Sequence, residues 1–157
     1  MPGWQDIDPA QLLPVLPVIW AWSYERDSGE FTGRLLGDRI PAVAGRSITG
    51  LSMAEYYQGW NYEEIYAVRR RIVDEPAIGL ERGQVFRANG QIGLGERLML
   101  PLARDGRHAD TIIGATSFEL RPDFLAETTV SSSGNVPSND AAPACYLGGT
   151  TSEFFPL

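Results

Sequence analysis

The chain contains no lysine: all 13 of its basic residues are arginines, set against 20 acidic residues, for a formal charge of −7 at pH 7. Codon bias in a GC-rich genome is the plain explanation for the missing lysine. The acidic balance argues against general nucleic-acid or anionic-membrane binding. A single cysteine, Cys145, excludes an intrachain disulfide. With one histidine, His108, and one cysteine, neither a Ser-His-Asp set, a Cys-His set nor a metal-ligand spacing can be assembled. No apolar run approaches the roughly 20 residues of a membrane-spanning helix. The start, Met1-Pro2-Gly3-Trp4-Gln5-Asp6, lacks a basic region and a hydrophobic signal segment, so a cytoplasmic setting is expected.

What is present suits one globular domain of 157 residues, 43% apolar, with a tail. The run from Gly90 to Leu102 shows strict period two. Its even positions are Ile92, Leu94, Glu96, Leu98, Leu100 and Leu102. That column predicts a strand with its apolar face on a core, interrupted by one charge, Glu96. Asn89-Gly90 before it and Arg104-Asp105-Gly106 after it are hairpin signals, which make the strand central in an antiparallel sheet.

The remaining elements follow in order. Asp8 as N-cap and Pro9 as first helical residue predict a short helix through Leu13, stopped by Pro14 and Pro17. Val18–Tyr24 and Phe31–Gly37 read as a hairpin. Asp38–Ala44 predicts a short helix or a broken one, ended by Gly45. Ser52 and Glu55 form a capping box for another through Tyr57. Tyr62–Asp74 is the longest helix, with Tyr62, Ile65, Tyr66, Ile72 and Val73 on one face. Ile78–Ala88 and Thr111–Leu120 complete the strands. From Ala126 the composition turns to Ser, Thr, Gly, Pro, Ala and Asn, which predicts a mostly flexible tail over 126–157, although Phe154-Phe155-Pro156-Leu157 could dock. The pattern is α+β: strands, grouped helices, strands.

That order resembles the PAS fold, a five-stranded antiparallel sheet with helices inserted between strands 2 and 3. More narrowly, the chain resembles the PAS-like family common in alphaproteobacteria. The matching pieces are Asp6-Ile7-Asp8-Pro9 with Leu12-Leu13-Pro14; Arg34-Leu35-Leu36-Gly37; Gly45-Arg46-Ser47-Ile48-Thr49-Gly50; and Glu96-Arg97-Leu98-Met99-Leu100-Pro101-Leu102. They stand in the family's order over residues 4 to about 120. The tail has no counterpart in that pattern. The resemblance implies a sensory or regulatory module with a pocket between sheet and helices, and not an enzyme. Haem-binding members carry a histidine on the long helix, and Tyr62–Asp74 has none. Flavin photoreceptor members carry a reactive cysteine in the helical segment, and Cys145 lies in the tail. A small organic ligand or no ligand is left, so no cofactor is expected.

Several residues carry open alternatives. Arg69 could reach into the pocket and pair with a carboxylate ligand or with Glu96, or lie at the edge of the helix with its head in water. Glu96 could pair across strands, face a polar pocket, or be turned outward by a bulge near Gly93 and Gly95. Arg69-Arg70-Arg71 reads as a solvated face with ion pairs to Glu63, Glu64 and Glu75, or as a phosphate patch. Trp20 and Trp22 share one side of the first strand, where they are either core or a homodimer contact. His108 is expected exposed in a turn. The candidate ligand site is thus Arg69, Glu96, Tyr62, Tyr66 and Ile65. The leading reading is a stand-alone sensor that binds a small molecule, or a signalling protein through its sheet, with output through a separate protein. The runner-up is a ketosteroid-isomerase-like enzyme with Glu96 as base and Tyr62 or Tyr66 as donor. A scaffold with a filled core is the third.

Overall fold

A computed structural model describes residues 1–58, 61–88, 90–123 and 150–157. Cys145, Asn89 and most of the segment from 126 onward lie outside the described residues. The elements are β1 (Ile19–Glu25), β2 (Glu30–Leu36), α1 (Arg39–Ala44), α2 (Met53–Tyr56), α3 (Tyr62–Asp74), β3 (Ala77–Ala88), β4 (Gln91–Leu102), β5 (Thr111–Pro122) and β6 (Thr151–Pro156). The strands form one antiparallel sheet in the order β2-β1-β5-β4-β3-β6. This is the expected α+β arrangement with one strand more. The sixth, β6, extends the sheet beyond β3, which composition alone does not announce.

Local chemistry accounts for the helix ends. Gly45, in the left-handed region at φ 78°, donates its N–H to Pro41 O at 2.8 Å and closes α1. The capping box of α2 is formed: Glu55 N donates to Ser52 Oγ at 3.1 Å and Ser52 N to Glu55 Oε2 at 2.7 Å. These bonds hold the Glu55 carboxyl below its usual range, the Ser52 backbone bond most of all.

The helix expected over Asp8–Leu13 does not form. Gln11 N bonds Asp8 O and Leu12 N bonds Pro9 O, which makes consecutive turns, while Asp8 Oδ1 accepts from Ala10 N at 2.9 Å. Pro14 and Pro17 leave too short a run for a helical nucleus to propagate.

Helices α1–α3 cover one face of the sheet. Trp20, Trp22 and Tyr24 of β1, Phe31 of β2, Phe86 of β3, Met99 of β4 and Ile112 and Phe118 of β5 meet Ile40, Met53, Tyr56, Ile65 and Ile72 there. Trp20 and Trp22 are 4% and 1% exposed in this layer. They are core, the first of the two alternatives, so a homodimer contact through them is overturned. On the opposite, outer face, Ile19, Leu102 and Ile113 gather beneath Trp4, Ile7 and Leu12 of the N-terminal segment.

The face assignment of β4 is reversed. Its apolar even column points outward, where Leu98 is 40% exposed; the odd positions Gly93, Arg97 and Met99 face the helices. The odd column is small because its neighbours are large. A Cβ on Gly93 would lie 3.2 Å from Phe86 and 3.3 Å from Phe118. There is a bulge, but it sits on the neighbouring strand. The β3–β4 register shifts between Gln84 and Phe86, leaving Val85 without a facing residue, whereas β4 pairs with β5 without interruption. The extra residue changes the parity of β3, so Glu81 and Phe86 both face inward.

Candidate functional site

Between the helices and the sheet lies a cavity of about 20 Å³, lined by Trp20, Tyr56, Tyr57, Arg69, Arg97 and Thr116 among others. That volume is little more than the room one water needs. Arg69 reaches the cavity from α3. It is 1% exposed, so it is neither a snorkelling edge residue nor part of a solvated arginine run. Its Nη1 donates to Ile65 O, one turn back, at 3.1 Å, and its Nε finds no acceptor among the described residues. The guanidinium carbon stands 5.5 Å from the Trp20 ring centroid and 5.7 Å from that of Tyr57. These faces attract a cation but do not neutralise it.

Arg97 reaches the same cavity from β4. It is held by Glu81, directly opposite on β3, at 2.9 Å. Its Nη2 donates to Val85 O at 2.8 Å, which gives the carbonyl of the bulge a charged donor. Its Nε donates to Thr116 Oγ1 at 3.3 Å, and Trp20 Nε1 donates to the same oxygen at 2.9 Å. Two guanidinium groups and one carboxylate are therefore buried close together.

The five expected site residues are not brought to one place. Arg69 and Ile65 lie in the core. Glu96 is on the outer face, its side chain 61% exposed and paired with Arg82 at 2.9 Å. It does not meet Arg69. Tyr62 and Tyr66 line a shallow cleft of about 310 Å³ with Ser28, Glu30 and Met53, and Tyr66 donates to Gly29 O at 2.8 Å. Burial raises the Tyr62 hydroxyl pKa, aided by Tyr66, Glu63 and Glu30. The general-base arrangement of Glu96 with either tyrosine is thus not formed, because the sheet lies between them.

Arg70 and Arg71 do occupy the solvated face of α3, bonded to Asp74 at 2.6 Å and Glu75 at 3.7 Å. His108 sits exposed in the β4–β5 turn, with Nδ1 2.7 Å from Asp105 Oδ2. Asp105 is held well below the usual carboxylate range by the His108 backbone N–H first, then its side chain, then the Arg107 backbone.

Sequence reasoning missed Arg97, Glu81 and Thr116. Arg97 follows Glu96 directly, so β4 carries a charge on each of its two faces. Alternation alone could not say which charge was buried.

A family model described as PAS domain matches residues 1–117. The match spans most of the chain, and the chain belongs to the PAS domain family. Membership places it among sensory and regulatory modules. No curated protein and no solved structure matches it. No helix among the described residues is long and apolar enough to cross a membrane.

Proposed function

We propose that this PAS domain is a sensory module that takes a small molecule into the cavity between its helices and sheet and relays the change to a separate signalling protein. The observation that supports this is Arg69: a guanidinium buried at the cavity wall with an unmet donor and no carboxylate partner among the described residues. A side chain that costs so much to bury is poor core filler and suitable ligand machinery. A filled scaffold gives Arg69 no role.

A protein partner would meet the outer face. There a groove of about 200 Å³ runs among Ile7, Leu12, Leu98, Leu100 and Ile113. A domain over 1–125, followed by a segment from 126 whose end, β6, joins the sheet at β3, and a cytoplasmic setting belong to the same proposal.

Native mass spectrometry of protein purified from its host, alongside melting before and after exhaustive dialysis, tests the reading. We expect a non-covalent adduct, or a melting temperature that falls on dialysis. The bare sequence mass with unchanged melting contradicts it.

A further inference from the structure

We infer that the cavity beside Arg69 is a site for a compact monovalent anion, of the size of a halide or formate. This rests on the proposal that the cavity is the ligand site, and it narrows the ligand's chemistry.

The first argument is charge. Arg69 and Arg97 are 1% and 2% exposed, and Glu81, with no exposure, is the carboxylate bonded to Arg97. Arg69 has no carboxylate within ion-pair distance among the described residues, so the pair leaves one positive charge unmatched. A buried charge of that kind attracts a counter-ion of opposite sign.

The second argument is the polarity of the wall. Arg69 Nε is a donor without an acceptor among the described residues. Thr116 Oγ1 already accepts from Trp20 and Arg97, which leaves its hydroxyl hydrogen as a further donor. No carboxylate among the described residues lines the cavity. A wall that offers donors and cation but no acidic acceptor selects anions over cations and over neutral donors.

The third argument is size. About 20 Å³ admits an ion near the volume of one water and excludes a large carboxylate unless α1 or α2 moves. The rings of Trp20 and Tyr57 stand against the Arg69 guanidinium, and its Nε is the donor left for the anion.

The test uses the full chain dialysed into sodium gluconate, whose anion is too large to enter. Gluconate is replaced stepwise by bromide or by formate at constant ionic strength, and melting and tryptophan fluorescence are followed. We expect a saturable rise of a few degrees, with bromide also quenching fluorescence saturably beside Trp20. Arg69→Met should abolish both effects. Wild-type crystals grown in bromide give a readout independent of that variant, an anomalous peak at the cavity next to Arg69. A response to bromide alone marks a halide site, and a response to formate alone marks a carboxylate site; either supports the inference. No response beyond the gluconate control and no anomalous peak overturns it, as does an equal response in a folded Arg69→Met variant. If neither anion acts but native mass spectrometry finds an organic adduct, the anion inference falls and the ligand-site proposal stands. If neither anion nor adduct binds, both fall.

Discussion

Arg97 of β4 and Glu81 of β3 stand directly opposite each other across the strand pair, with Nη1 2.9 Å from Oε2, and both are buried. Such a pair adds little by existing but costs much when halved, because the survivor keeps an uncompensated charge. Glu81→Leu should therefore lower stability by about 3–5 kcal/mol in denaturant unfolding. The double variant Glu81→Leu/Arg97→Met should recover most of that loss, since no orphan charge remains. The recovery should be incomplete, because Val85 O loses its Arg97 donor. A double variant as unstable as the single one would show that the pair is not isolated in this way.

Trp20 stands opposite Gly114 of β5, and its indole occupies the space a side chain at position 114 would take. A Cβ on Gly114 would fall 2.3 Å from Trp20 Cζ2. Gly114→Ala must displace the indole, and with it the Trp20 bond to Thr116 and the ring face that Arg69 uses. The expected loss is about 1–3 kcal/mol, with a shifted tryptophan emission. Unchanged emission and stability would refute the close packing.

The outer edge of β3 is covered by β6, with Gly79 opposite Phe154 and Arg82 opposite Thr151. Phe154 packs against the helix-side core beneath Arg71, whose guanidinium lies 4.2 Å from the ring centroid. Arg82 ties the edge further by bonding Glu96 at 2.9 Å and Glu153 at 3.2 Å. Phe154→Ala should cost about 1 kcal/mol, whereas Arg82→Ala, which removes two exposed pairs, should cost less. Hydrogen exchange at β3 should rise in the first variant. If exchange there stays as slow as in the wild type, β6 does not hold that edge.

Two tyrosines set an alkaline limit. Burial raises the hydroxyl pKa of Tyr24, partly countered by Arg70, and that of Tyr62. A folded-state value above the unfolded one means the native state holds the proton longer. Its contribution to stability is complete below the ordinary tyrosine value of 10.0 and is lost as pH rises through the folded values. Absorbance at the phenolate band should show part of the tyrosine signal ionising above the ordinary value of 10.0, and unfolding free energy should fall over that same range. Normal titration of all tyrosines would argue against burial of the two hydroxyls.

Much of the architecture can be read from local chemistry. The Ser52–Glu55 box, the Gly45 stop and the apolar face of Tyr62–Asp74 act within a few residues, so their spacing carries their geometry. The faces of the sheet do not act locally. In β4 the leucine column looks like the core side, yet the interior is filled by Trp20, Phe86 and Phe118 from neighbouring strands, and glycine and arginine take the inward positions. The Val85 bulge changes parity in β3 without any glycine or proline at that residue. Arg69 was legible as a residue on the apolar stripe, but its burial depends on rings contributed by β1 and by the segment after α2. Glu96 attracted notice because it broke a pattern; its neighbour Arg97 carries the buried charge.

The most direct test of the central claim compares wild type with Arg69→Met in chemical denaturation, after dialysis into gluconate. If Arg69 is an unmatched charge kept for a ligand, replacing it with an apolar side chain of similar length should leave the ligand-free protein equally stable or more stable. A loss of about 3 kcal/mol or more, the cost of breaking a buried pair, would show that Arg69 is already satisfied within the fold and would contradict the account.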